Sequence, residues 1–310
     1  MKKLALMFPG QGSQAVGMGC DLCAAHPQMR DTYREASDVL EFDLESICAA
    51  GPAERLARTD ITQPALLANS LGIFRILADQ GLRFDAAFGH SLGEYSALVA
   101  TGALSFEDGL HIVRRRGEEM LRAAEAAPGG MAAVIGLPDE KVEELCAGLD
   151  GVWPANFNSP GQVVVSGTRA GLDVLAAKAM EAGARKVMQL AVSGAFHSPL
   201  VEPAQAPLRT ELERTPWSTP DPAFFSVSSV AFESGDFVEL LSRQLVSPVR
   251  FTQSVKTLYA AGYDSFLEVG PGSVLSGLVR RIAPEVSVAR AADLDSIGAL
   301  REDADYWEVA

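Results

Sequence analysis

The sequence predicts an α/β fold with a mostly parallel sheet, interrupted by an inserted ferredoxin-like βαββαβ subdomain. Three observations carry this. Short apolar runs alternate with helical stretches toward both ends of the chain, the pattern of parallel strands joined by helices. The middle follows a different rhythm: strand, helix, two strands, helix and strand within about sixty residues. The 310 residues suffice for one large domain with a smaller insert, and 48% hydrophobic with 21% charged residues is the composition of a well-cored protein and excludes compositional disorder.

Taken in order, Leu4 to Phe8 is an apolar run closed by Pro9-Gly10-Gln11-Gly12, and reads as a buried first strand. Although Met1-Lys2-Lys3 precedes it, the run is too short for a signal peptide. Asp85 to His90 reads as a second strand, and Leu92 to Thr101 as a helix stopped by Gly102. A further helix runs from about Phe106 to Ala124.

The insert follows. Met131 to Ile135 is a strand, and Val142, Leu145, Cys146 and Leu149 recur at helical spacing. Strands Val152 to Ala155 and Gln162 to Ser166 flank the turn signal Asn158-Ser159-Pro160-Gly161. A helix from Gly171 to Ala182 and a strand from Lys186 to Leu190 complete the unit. Pro128-Gly129-Gly130 and Ser193-Gly194 are expected hinges, so residues 1–127 and 194–310 form the large domain and residues 128–193 the small one. The α/β pattern resumes and ends with a strand from Ser265 to Val269, Gly270-Pro271-Gly272 and a helix from Ser273; the acidic last twenty residues read as a solvated or loosely docked tail.

A net charge of -14 argues against nucleic acid, whose binding needs a basic surface to displace counterions, and against anionic membranes. No apolar run approaches the ~20 residues that span a bilayer. The four cysteines, Cys20, Cys23, Cys48 and Cys146, are too few and scattered for a disulfide framework. Cys20-x-x-Cys23 lacks a second pair to complete a metal site, so no metal is expected. The expected compartment is the cytoplasm, and a monomer is the expected state.

Chemistry enters at Gly89-His90-Ser91-Leu92-Gly93, a G-x-S-x-G between a predicted strand and a predicted helix. That context belongs to a hydrolase-like core. A sharp strand-to-helix turn projects the Ser91 hydroxyl, flanking glycines avoid backbone clashes, and the Leu92 amide sits at a helix N-terminus where it can face an oxyanion.

Together with this motif, Phe8-Pro9-Gly10-Gln11-Gly12-Ser13-Gln14, Asn156-Phe157-Asn158-Ser159-Pro160-Gly161-Gln162, Gly194-Ala195-Phe196-His197-Ser198 and Glu268-Val269-Gly270-Pro271-Gly272 occur in order. On these five motifs the chain resembles the malonyl-CoA:acyl carrier protein transacylases and the acyltransferase domains of fatty acid and polyketide synthases, over residues 3–282. The resemblance implies malonyl-CoA and an acyl carrier protein as partners, a ping-pong transfer through Ser91, and no cofactor beyond the thioester substrate.

Serine needs a neighbouring base. Of four histidines, His26 and His111 lie in segments with no other chemical signal, and His90 adjoins Ser91 on a tight turn where neighbours point apart. His197 precedes Ser198-Pro199, an N-cap followed by proline, where a positive helix end favours neutral imidazole. Paired with Ser91 and the resemblance, it is taken as the base. No acid stands out as a third member; the resemblance implies a Ser-His dyad oriented by a main-chain carbonyl within Pro248-Val249-Arg250-Phe251, where several relatives carry glutamine in place of Arg250.

Arg116, the last of three consecutive arginines, falls between Ile112 and Met120 on the apolar helix face, while Arg115 points away. A guanidinium facing a core needs an anion. Either an internal carboxylate or the free carboxylate of a substrate would serve, and the resemblance assigns Arg116 to malonyl. It also assigns the backbone amide of Gln11 as a second oxyanion donor beside Leu92, and Gln63 to the pocket, although a helix-capping role fits Gln63 nearly as well. His90 is taken as a further substrate contact, and Phe196-His197 matches the malonyl-selecting version of its motif. Arg280-Arg281, Arg185-Lys186 and Arg115 are candidate contacts for an acidic carrier protein.

The rival readings are a serine thioesterase or other α/β-hydrolase, an acyltransferase with a different acyl-CoA preference, and an inactive binding protein on the same fold. Against the hydrolase, 113 residues follow His197, where that class places its histidine near the C-terminus.

Overall fold

A computed structural model describes residues 3–301. Strand β1 (Lys3–Phe8) opens the chain, followed by the short helices α1 (Cys20–Ala25), α2 (Pro27–Leu40), α3 (Leu44–Ala50) and α4 (Ala53–Leu56). Then come α5 (Thr59–Asp79), β2 (Ala86–Gly89), α6 (Gly93–Ala100) and α7 (Phe106–Ala126). The middle runs β3 (Gly129–Ile135), α8 (Asp139–Ala147), β4 (Val152–Ser159), β5 (Gln162–Thr168), α9 (Arg169–Glu181) and β6 (Lys186–Gln189). A 3₁₀ turn (Pro199–Ala204) leads into α10 (Gln205–Arg214), β7 (Ala223–Ser226), β8 (Ala231–Glu233), α11 (Phe237–Gln244) and α12 (Phe251–Ala260). The described chain closes with β9 (Tyr263–Val269), α13 (Val274–Ile282), β10 (Ser287–Ala291) and α14 (Leu294–Arg301).

Two sheets result. The larger has the order β10-β9-β1-β2-β7-β8, parallel throughout except that β8 runs antiparallel to β7 at one edge. Its central strand β1 is buried on both faces: Leu4, Leu6 and Phe8 pack into one apolar cluster, Ala5 and Met7 into the other. Burial on both sides is why β1 reads as a continuous apolar run rather than an alternating one. The smaller sheet has the order β4-β5-β3-β6 and is antiparallel, with α8 and α9 supplying the helices of the βαββαβ unit. The small sheet is tied to the segment before α12, where Val249 N donates to Ala155 O at 2.8 Å and Phe157 N to Val249 O at 2.9 Å.

The fold class agrees with the sequence reading, and four details differ. Gly129 and Gly130, expected at a hinge, lie inside β3 and pair with Thr168 and Gly167. A Cβ on Gly129 would stand 2.7 Å from Gly167 O, so close approach of strands, and not hinge freedom, explains the glycine. The expected four-residue turn is shorter, because β4 continues through Ser159 and leaves Pro160 and Gly161 to reverse the chain. Residues 291–301 do not belong to a loose tail: Ala291 pairs with Val269 and α14 packs on β10, burying Ile297 and Leu300. The rest of the expected tail lies outside the described residues. Finally, α5 is long and apolar enough to cross a membrane, which the run-length reading missed; 78% of its apolar window is buried inside the protein, as in a core helix.

Candidate active site

Parallel α/β sheets bind ligands outside the carboxyl ends of their strands. Here the loops after β1, β2 and β9 converge on one cavity, which takes Gly10, Gln11 and Ser13 from the first, His90, Ser91 and Leu92 from the second, and Val274 and Leu275 beyond the third. Asn156, Asn158 and Val164 from the small sheet and Leu190, Val192, Phe196 and His197 beyond it form the opposite wall.

Ser91 has φ 53°, in the left-handed region that disfavours a side chain. Such strain, about 1–3 kcal/mol, persists only where the surroundings enforce it. They do: a Cβ on Gly89 would lie 2.0 Å from Gly93 C, and one on Gly93 would lie 2.0 Å from Phe8 O. The two glycines therefore let β2 turn directly into α6 against β1, and the turn forces the serine outward. His197 is likewise left-handed, with φ 59°.

The Ser91 Oγ lies 2.8 Å from His197 Nε2. His197 Nδ1 stands 3.0 Å from two carbonyl oxygens, those of Gln244 and Ser247. Carbonyls only accept, so the proton sits on Nδ1, and Nε2 keeps the lone pair that receives the serine hydrogen. The expected carbonyl within residues 248–251 is thus corrected: the acceptors come from the end of α11 and the turn after it. Arg250 instead stands at the position before α12, makes no capping bond with its side chain, and lays its guanidinium over the Phe157 ring at 5.4 Å.

Neutral imidazole is favoured, by a cause other than the helix end invoked from sequence. Burial comes first and the nearby Arg116 cation second, and together they lower the His197 pKa to about 3. Ser198 does cap the following turn, accepting from Leu200 N at 3.3 Å with Pro199 at its first position.

Arg116 is 1% exposed. Its Nη1 donates to Gln63 Oε1 at 2.9 Å, and its Nη2 donates to Ser91 Oγ and Gln244 Oε1, each at 3.0 Å. Nε has no partner among the described residues. No carboxylate there bonds the guanidinium directly, so the internal ion pair weighed from sequence is absent. Burial lowers the Arg116 pKa, opposed by Tyr95, whose ring lies 5.5 Å away, and by Glu94. Gln63 sits in the second turn of α5, with Nε2 on Met120 Sδ at 3.3 Å, so it caps nothing. Arg115 points outward and is engaged by Glu119 at 3.1 Å and Glu118 at 3.8 Å.

Gln11 and Leu92 both line the cavity, and no bond is seen from either backbone amide to another group of the described chain. The Gln11 side chain is held by Thr59 Oγ1 at 3.2 Å. His90 turns away from its neighbour, with Nε2 2.9 Å from Asn158 Oδ1. His111 lies on the surface and His26 precedes α2, both outside the cavity. No group of three or more His, Cys, Asp or Glu is placed to hold a metal among the described residues.

Two residues of the site escaped sequence reasoning. Gln244 ends an amphipathic helix and carries no motif; Glu94 directly follows the Gly89–Gly93 motif but looks like an ordinary first-turn carboxylate. Both are buried, Gln244 at 1% and Glu94 at 0% exposure. Burial raises the Glu94 pKa, against hydrogen bonds from Ser226, Gln244 and Val227 and the charge of Arg116.

The family model described as an acyl transferase domain matches residues 6–309. A malonyl CoA-acyl carrier protein transacylase of Bacillus subtilis is 42% identical over 303 residues, covering 96% of each chain. An acyl carrier protein S-malonyltransferase from Vibrio cholerae superposes with a TM-score of 0.93 at 40% identity, over 96% of this chain and 99% of that one. A malonyl-transacylase solved in complex with a type II polyketide synthase acyl carrier protein gives 0.94 at 39% identity, over 97% of this chain and all of that one.

Proposed function

The chain belongs to the acyl transferase domain family and is an acyltransferase, and we propose that it moves malonyl from malonyl-CoA to the phosphopantetheine thiol of an acyl carrier protein through an ester on Ser91. One observation carries the reading. A single hydroxyl, Ser91 Oγ, is within 2.8 Å of a neutral imidazole and 3.0 Å of a buried guanidinium. The first activates a nucleophile and the second awaits a carboxylate. The names of the relatives agree with this substrate and this partner.

In the forward half-reaction His197 Nε2 takes the Ser91 proton as Oγ bonds to the thioester carbon. The amides of Gln11 and Leu92 face the resulting oxyanion, and the C–S bond breaks as Nε2 returns the proton to the coenzyme A sulfur. The carrier thiol then gives its proton to Nε2, attacks the ester, and releases Ser91 with that proton. Atoms and charge balance using this chain and two thiols, so no cofactor is required. Arg116 anchors the malonyl carboxylate, with Gln63 bracing the guanidinium. His90 and its asparagine partners border the same space. Arg280 and Arg281 have no carboxylate partner among the described residues, donating instead to Val288 O and Gln162 Oε1, and are the cations we assign to an acidic carrier protein. The cytoplasm is the compartment we propose, in keeping with four unpaired thiols.

Mixed with malonyl-CoA and no carrier protein, the enzyme should release one burst of coenzyme A, about one per active site, and then stall. Sustained release would mark a thioesterase instead.

The pH dependence has a definite sign. A base with a pKa of about 3 stays neutral well below the ordinary histidine value of 6.5. Acetyl transfer, which involves no substrate carboxylate, should therefore persist below pH 6.5 and fall only as pH approaches the lowered value. Arg116→Ala removes the second-largest of the lowering causes and should move this acidic limb to higher pH. A wild-type limb centred at 6.5 would contradict the assignment of a buried, cation-flanked base.

A further inference from the structure

The imidazole has no use for a carboxylate, since its Nδ1–H already meets two carbonyls. Yet a wholly buried one, Glu94, lies three residues after the nucleophile. Its Oε1 accepts from Val227 N at 2.7 Å, and its Oε2 accepts from Gln244 Nε2. Gln244 is then held along its whole length. Nε2 also donates to Ser91 O at 2.9 Å, Oε1 accepts from Arg116 Nη2 at 3.0 Å, and its main-chain oxygen accepts from His197.

A side-chain amide can sit either way round, and its neighbours decide which. A guanidinium only donates and an ionised carboxylate only accepts. With Glu94 on one side and Arg116 on the other, just one orientation of Gln244 satisfies both. Glu94 is thereby the buried counter-charge of Arg116, separated from it by one amide. The separation has a chemical consequence. A carboxylate directly on the guanidinium would occupy the donors that an incoming acid needs, whereas an amide oxygen holds it in place with a weaker bond that can be exchanged.

We propose that Glu94 is a positioning residue that, through Gln244, holds the Arg116 guanidinium ready for acyl groups bearing a free carboxylate, and so sets their preference over plain acyl groups. The proposal rests on the reading of Arg116 as the anchor for malonyl.

Glu94→Gln is nearly isosteric but removes the charge and replaces an acceptor with a donor, which weakens the hold on Gln244 and so on the guanidinium, while the bond from Gln244 Nε2 to Ser91 O remains. The experiment measures kcat/KM for malonyl-CoA and acetyl-CoA in wild type, Glu94→Gln, Arg116→Ala and the double variant, with thermal melting as a check on folding. Malonyl transfer by Glu94→Gln should fall about tenfold or more, chiefly through KM, with acetyl transfer changed by less than about threefold. In the Arg116→Ala background the same change should add less than about threefold for malonyl, because the residue it acts through is gone. A merely structural carboxylate would depress both acyl groups alike and add its full effect to Arg116→Ala; either result overturns the proposal. Should Glu94→Gln fail to fold, Glu94→Asp retains the charge one methylene short, and it should give a smaller loss with the same malonyl selectivity; an equal loss for acetyl overturns it. If Arg116→Ala itself loses malonyl and acetyl transfer equally, the anchor reading fails first. If Arg116→Ala is selective and Glu94→Gln is not, only the role of Glu94 fails.

Discussion

Ser91→Ala is expected to lower malonyl transfer by a factor on the order of 10⁶, the scale seen when the nucleophile of a serine-histidine site is removed. The size follows from the route. Without Oγ there is no atom to carry the acyl group between two thiols that enter in turn, so both half-reactions are lost together. Cβ remains, so the strained φ of 53° and the packing of the turn are unchanged, and the variant should melt near the wild-type temperature. Coenzyme A release and carrier-protein loading measured in parallel give the check. A variant that still loads the carrier at more than about a thousandth of the normal rate would mean that another group accepts the acyl chain.

Arg116→Ala carries the second large effect, one confined to acids. Removing one partner of a desolvated charge pair costs about 3–4 kcal/mol, a loss of roughly 10²- to 10³-fold in kcat/KM for malonyl-CoA. Acetyl-CoA has no carboxylate to lose and should be affected far less, through the 3.0 Å bond to Ser91 and the charge beside His197. Arg116→Met keeps more of the volume of a side chain that is only 1% exposed, and separates lost charge from lost packing. Comparing the malonyl-to-acetyl ratio across the three proteins tests the anchor; a constant ratio would remove it.

Much of this site was legible because its chemistry imposes local demands. The glycines around Ser91 are required because a Cβ at either would stand 2.0 Å from neighbouring backbone, and such demands leave a fixed spacing in the sequence. Ser198-Pro199 marks a helical turn whatever surrounds it. The Arg116 side chain could be placed by helical periodicity alone, because its neighbours on α7 define the apolar face. Gln244 has no comparable mark. It reaches Ser91 across 153 positions of chain, and only tertiary packing turns the end of α11 toward the cavity. Glu94 was visible as a letter but not as a buried charge, since its partners Val227 and Gln244 lie far along the sequence. The fold follows the same division. Alternating apolar runs announced the parallel sheet, whereas β10, which pairs with β9, is a five-residue stretch of mostly small residues in which Arg290 lies opposite Glu268, and so carries no comparable apolar run.

The causes of the two electrostatic features also separate sequence from structure. A helix end next to His197 is readable in the chain, yet burial and Arg116 dominate the imidazole, and both arise from tertiary packing that brings α7, the end of α11 and the segment after β6 together beside Ser91.

The most direct test of the central claim is to mix the enzyme with malonyl-CoA alone, quench within the first turnover and map the acylated peptide by mass spectrometry. The account predicts one malonyl group per chain, borne on the peptide containing His90-Ser91-Leu92 and absent from Ser91→Ala. A malonyl group on any other residue, or free malonate with no acylated protein, would contradict it.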